Sequence, residues 1–186
     1  MLFLGSEHHL FVSTDAGQSW RKWPGLPTTH VDDLLIHPRE KDLVIGTHGQ
    51  SIWILDDTRP VAEWTPEVSA SQNHLFTIRP ATIFTYWKDT SYRGQAEFAG
   101  ENPVDGAIIT YLLGEGVGDA HLTVSREDGE VIREFLVPAD EGLHRVNWDL
   151  RHPSGPEPAL EPWIPFEHDE LPRNVEDRGH FVSPGT

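Results

Sequence analysis

The residues of this 186-residue chain whose types could do chemistry are two adjacent acids, a set of 11 histidines and a scatter of large aromatics. Glycoside hydrolysis needs two carboxyl groups, one kept protonated as the acid and one ionised as base or nucleophile. The nearest approach to such a pair is "LDD", at Asp56 and Asp57. Neighbours at a strand end point to opposite faces and cannot flank one bond, so the pair reads instead as caps at a strand exit. "EHH" (Glu7 to His9), His37, His48 and "EHDE" (Glu167 to Glu170) offer imidazole and carboxylate, which are ordinary metal ligands. None shows the helical i, i+4 spacing of a zinc protease. They read as solvated turn residues, with a loose calcium or magnesium site at "EHDE" as the alternative. Trp64, Tyr86, Trp87 and Tyr92 could stack on the C–H faces of sugar rings or pack between the two halves of the chain. There is no glycine-rich phosphate loop, no GxSxG elbow and no basic stripe, and no motif calls for a cofactor.

One octapeptide is complete enough to be a motif: "STDAGQSW", Ser13 to Trp20. In a turn between two strands the Asp15 carboxylate and the Ser13 hydroxyl can accept hydrogen bonds from loop N–H groups that the strands leave unsatisfied. Gly17 can take a positive φ, and Trp20 can fold its ring over the turn. Those four residues account for one another without a substrate.

The elements that must position these residues are short strands. Gly and Pro are abundant at 16 and 15, with 7 Trp against one Met, a composition of strands and tight turns rather than helices. "LFLGSEHHLFVSTD" (Leu2 to Asp15) lies over "LVIGTHGQSIWILDD" (Leu43 to Asp57) with one inserted residue, matching Gly5 to Gly46 and Asp15 to Asp57. The offset falls in the ~40 to 50 residues of one four-stranded propeller blade. Between the copies "VDDLLIHP" supplies a strand stopped by Pro38 and followed by the charged turn "REKD". "DDTRPVAEWTPEVSASQNH" reads as linker, and "HLFTIRPATIFTYW" as one or two strands broken at Pro80.

Strand signals then return. "GAIITYLL" (Gly106 to Leu113) is a strand buried on both faces. "HLTVSREDGEVIREFLV" is a hairpin around Asp128 and Gly129, with positive φ expected at both. "HRVNWDL" puts Val146, Trp148 and Leu150 on one face, a sandwich pattern. The last thirty-six residues read as a Pro-rich acidic loop with Trp163, Ile164 and Phe166 pinned against the sandwich, ending in the turn "SPGT".

The pattern SxDxGxxW resembles the Asp-box, or BNR repeat, of sialidase-type and sortilin-type β-propellers, where it is a structural turn away from the active site. "LPTTHVDDLLIHP" with "DLVIGTHGQSIWILDD" is similar to the last blade of bacterial sortilin N-terminal-domain-like and BNR-repeat proteins, many called glycosyl hydrolase-like. Gln50 stands where that family's "THGRS" has arginine. "NPVDGAIITYLL", "GLHRVNWDLR" and "HFVSPGT" resemble the immunoglobulin-like domain that follows such a propeller. The resemblance implies an all-β chain: a remnant propeller blade or blades with an Asp-box at Ser13, Asp15, Gly17 and Trp20 over residues 1–60, a linker with closing strands over 61–100, and an incomplete immunoglobulin-like β-sandwich over 101–186. It implies a fragment of a longer protein with an extracellular or periplasmic location. A sialidase funnel draws its arginines, tyrosine and acids from several blades, so none of Arg21, Arg39, Arg59 and Arg79, which lack motif spacing, is assigned a catalytic role.

Charge narrows the partners. With 14 Lys plus Arg against 30 Asp plus Glu, the net charge of −16 repels nucleic acid and anionic lipid. No apolar run approaches the ~20 residues of a membrane-spanning helix, and "MLFLG" is too short, with no basic lead, for a secretory signal. The absence of cysteine removes disulfides, thiolate zinc sites and thiol nucleophiles. Three roles follow: a non-catalytic binding module whose blade completes a ring that recognises a peptide or glycan, the structural tail of a BNR-repeat glycosyl hydrolase whose catalytic residues lie upstream, or an architectural anchor. Exposed strand edges would favour self-association.

Overall fold

The computed structural model describes residues 1–83 and 104–153, which form an all-β arrangement of small antiparallel sheets with two single-turn helices. β1 (Leu2–Gly5) pairs with β2 (Leu10–Ser13), and β3 (Arg21–Lys22) adds to β2. β4 (Val31–Ile36), β5 (Leu43–Thr47) and β6 (Ile52–Leu55) form the second sheet, in the order β4-β5-β6.

The sequence repeat is the same hairpin built twice in one register. Gly5 opposes Leu10 as Gly46 opposes Ile52, Phe3 opposes Val12 as Val44 opposes Ile54, and Leu2 opposes Ser13 as Leu43 opposes Leu55. Side chains alternate along a strand, so Phe3, Gly5, Leu10 and Val12 share one face of the first hairpin. Leu43, Ile45, Trp53 and Leu55 share one face of the second. These two faces meet. Leu10, Leu43, Ile45 and Leu55 are buried there, with Leu26 and Val31, while Phe3, Trp23, Leu34 and Trp53 close the rim. The approach is tightest at Gly5, where a Cβ would stand 2.6 Å from Val31 Cγ1; at Gly46 nothing would come nearer than 3.7 Å.

The segment expected as linker begins with α1 (Arg59–Ala62) and α2 (Pro66–Ser69). Each carries a proline in its first turn, where the missing N–H costs nothing, and the Thr65 hydroxyl accepts the Val68 N–H at 3.3 Å to cap α2. β7 (Asn73–Leu75) follows, starting earlier and ending sooner than the apolar run suggested; residues 76–83 add no strand.

β7 belongs to the second body. It pairs with β8 (Ala107–Leu113), which pairs on its other side with β11 (Gly142–Trp148). All seven residues of β8 are buried, as its unbroken apolar run requires. β9 (Ala120–Ser125) and β10 (Val131–Val137) form a hairpin, and its Ile132, Phe135 and Val137 share one core with Ile109, Tyr111, Val146, Trp148 and Leu150. The turn between them differs from expectation in one respect. Among the described residues positive φ occurs at Gly129 (89°) and not at Asp128. Gly129 N–H donates to Arg126 C=O at 3.0 Å and Arg126 N–H to Glu130 C=O at 2.9 Å. That is a three-residue loop ending in a bulged glycine, which needs one left-handed residue instead of two. No helix among the described residues is long and apolar enough to cross a membrane.

Candidate functional site

The turn from β2 to β3 brings Ser13, Asp15, Gly17 and Trp20 together. Ser13 is the buried end of β2; its hydroxyl donates to Asp15 Oδ1 at 2.7 Å and accepts the Gly17 N–H at 2.8 Å. Asp15 Oδ1 also accepts the Ser19 N–H at 2.9 Å, and Oδ2 accepts the Ser19 hydroxyl. Ala16 and Gly17 both have left-handed backbone, φ 60° and 92°. A Cβ on Gly17 would lie 3.8 Å from Trp20 Cζ2 and 3.5 Å from Leu2 Cδ1, so the indole edge and Leu2 flank the turn. The Ser19 hydroxyl, then the Ser19 N–H and the Ser13 hydroxyl, hold the Asp15 carboxyl well below the usual carboxylate range, against a smaller opposing effect of desolvation. A carboxylate so occupied is a poor base and nucleophile. Ser19, which supplies two of these bonds, was missed from the sequence; its signal was a hydroxyl four residues after the acid.

A second cluster lies where the two bodies meet. Asp56, Asp57 and Thr58 follow β6 and are buried. Thr58 donates from both N–H and hydroxyl to Lys41 C=O, at 2.9 and 2.7 Å, and Asp57 N–H donates to Asp42 Oδ1 at 2.9 Å. Asp57 Oδ1 accepts Arg59 Nη1 at 2.7 Å and the Arg59 N–H at 3.2 Å, tying the carboxylate to the start of α1. Arg79 Nη1 donates to Asp42 Oδ1 at 3.2 Å. From β11, Arg145 reaches across to donate Nη1 to Asp56 C=O at 2.8 Å and Nη2 to Asp57 C=O at 3.1 Å, while its Nε donates to Thr110 Oγ1 of β8 at 3.2 Å.

Burial pushes the Asp56 carboxyl up, helped by Asp42 and resisted by Arg79 and Arg145. Burial likewise pulls the Arg145 guanidinium down from its ordinary value, with Asp57 and Asp56 resisting, yet an arginine keeps its proton. Structural ion-pair networks shift proton affinities as active sites do. Here the bonds run to backbone carbonyls and neighbouring side chains, so the cluster acts as a clamp between bodies. Arg59, Arg79 and Arg39 all meet Glu40, Arg59 at its carbonyl and Arg39 and Arg79 at its carboxylate, while Arg21 stands apart on β3; Arg145 had no signal in the sequence, because its partners lie far upstream.

The remaining candidates are spread out. His37 Nδ1 accepts the Glu40 N–H at 3.1 Å, a turn role. His30 and His48 both lean toward Asp32, at 3.7 and 3.4 Å, on the surface. Among the described residues no three His, Asp or Glu side chains form a group that could hold a metal ion. Trp64 stacks on the buried Phe76 with centroids 6.0 Å apart. "EHDE", Tyr86, Trp87, Tyr92, Trp163, Ile164 and Phe166 lie outside the described residues. In comparisons with known proteins, the chain matches no protein-family model, no curated protein and no solved structure.

Proposed function

We propose that the chain is a non-catalytic structural and binding segment of a BNR-repeat, sortilin-like β-propeller protein: two partial blades, the first carrying an Asp-box at Ser13, Asp15, Gly17 and Trp20, followed by an immunoglobulin-like sandwich. The reading places it outside the cell or in the periplasm, recognising a peptide or glycan once its blades are part of a complete propeller. One observation carries it. The two hairpins share a register residue for residue and stack face to face, and the Ser13–Asp15–Ser19 turn directly follows the second strand of the first hairpin. Stacked sheets of equivalent hairpins are how a propeller buries its blades. The non-catalytic half rests on the carboxylates: Asp15 serves its own turn, and Asp57 serves Arg59.

The test is retention of glycans or peptides from a library on the immobilised full-length protein that contains this segment, run beside aryl-glycoside turnover. Retention without turnover is expected. Turnover abolished by Asp56→Asn or Asp57→Asn would overturn the non-catalytic reading, and retention of neither ligand class would remove the recognition role.

A further inference from the structure

The repeat equivalence makes the exposed faces of the first two sheets informative. At the observed junction, the Phe3, Gly5, Leu10, Val12 face of the first hairpin covers the Leu43, Ile45, Trp53, Leu55 face of the second. By the repeat, the first of these faces corresponds to Val44, Gly46, Ile52 and Ile54, and the second to Leu2, Leu4, Phe11 and Ser13. Both corresponding faces point outward except at Ser13, which is buried in its own turn. Ile52 and Ile54 are 67% and 53% exposed, with Leu35 beside them at 59%, and Leu2 and Leu4 are 45% and 48% exposed. The pair of stacked sheets thus presents, on its two outer faces, the two halves of an interface that it already makes once internally.

We propose that the Val44–Ile52–Ile54 face of one copy of this chain docks on the Leu2–Leu4–Phe11 face of a second copy, repeating the internal junction head to tail. Such a contact is heterologous, so it propagates into a ring if the rotation closes and a filament if it does not. Burial of apolar area drives it, and the net charge of −16 on each copy opposes it, so association strengthens with salt. The inference stands on the register and burial of the two hairpins and does not require the propeller family.

Sedimentation velocity on the whole chain at high ionic strength provides the test, using Ile54→Glu and Leu4→Glu, both at half-exposed positions that a folded monomer tolerates. Wild type is expected to form species larger than a dimer, and each variant alone to remain monomeric. An equal mixture is expected to form a dimer and stop, doubling the average mass, because each variant keeps the face the other has lost. Ile52→Glu with Leu2→Glu repeats the mixture on neighbouring positions, and unchanged thermal unfolding of each variant reports an intact fold. A wild type that stays monomeric overturns the proposal. So does a variant that still associates alone, or a mixture that stays monomeric.

Discussion

Replacing Arg145 by methionine is expected to destabilise the protein by about 3–5 kcal/mol, the cost of removing one partner from a buried charge network. Methionine keeps much of the stem volume but leaves the carbonyls of Asp56 and Asp57 and the Thr110 hydroxyl without the guanidinium donors they meet at 2.8, 3.1 and 3.2 Å. Hydrogen bonds from a charged donor are worth about 1.5–3 kcal/mol each, and the three are not independent, so the sum is capped near the network figure. For a chain of this length that corresponds to a melting temperature lower by about 6–20 °C. Urea unfolding followed by tryptophan fluorescence and far-UV circular dichroism reads both size and mode. Wild type should lose both signals together, whereas Arg145→Met should separate them as the two bodies unfold independently. Arg145→Lys should fall between, since a single ammonium nitrogen cannot place donors at the three separated points that Nε, Nη1 and Nη2 reach. A loss below about 1 kcal/mol with coincident transitions would refute the clamp, because surface ion pairs are worth no more than that.

Other outcomes follow from the same geometry. Gly5→Ala should cost about 1–3 kcal/mol through overpacking against Val31, while Gly46→Ala, its repeat equivalent, where the new methyl would meet Asp33 at an ordinary 3.7 Å, should stay within about 0.5 kcal/mol in denaturant titrations. The folded Asp15 carboxyl lies below its ordinary value of 3.8, so its stabilisation is complete above that pH and is lost as pH falls through the folded value. Accordingly the melting-temperature gap between wild type and Asp15→Ala should be constant near neutrality and narrow in acid; a gap that widens in acid would contradict the hydrogen bonding described. Phe135→Ala, at a fully buried site with the Arg133 guanidinium 4.6 Å from its ring centroid, should cost about 3–5 kcal/mol by urea unfolding.

Much of the strand framework was legible because the period-two pattern and burial coincide. The repeat of Leu2 to Asp15 in Leu43 to Asp57 became two hairpins of one register, and the run "AIITYLL" became a central strand buried on both faces. The helices at Arg59–Ala62 and Pro66–Ser69 were hidden because a single turn is too short to show an apolar period, although Thr65 before Pro66 is a helix-start signal. The turn at Ser13 to Trp20 was readable because its bonds span two to four residues. The clamp was not, since Arg145 meets Asp56 and Asp57 across 89 and 88 positions of chain, and Asp57 takes φ 55°, which no composition rule assigns to it.

That long reach has a consequence in time. On a ribosome adding about 5–20 residues per second, Asp57 emerges roughly 4–18 s before Arg145. During that interval the amino-terminal sheets must hold the Asp56–Thr58 segment with their own bonds, from Thr58 to Lys41 and from Asp57 to Asp42. Those local bonds preset the two carbonyls, so the late-arriving guanidinium meets a finished receptor, and synthesis order becomes assembly order.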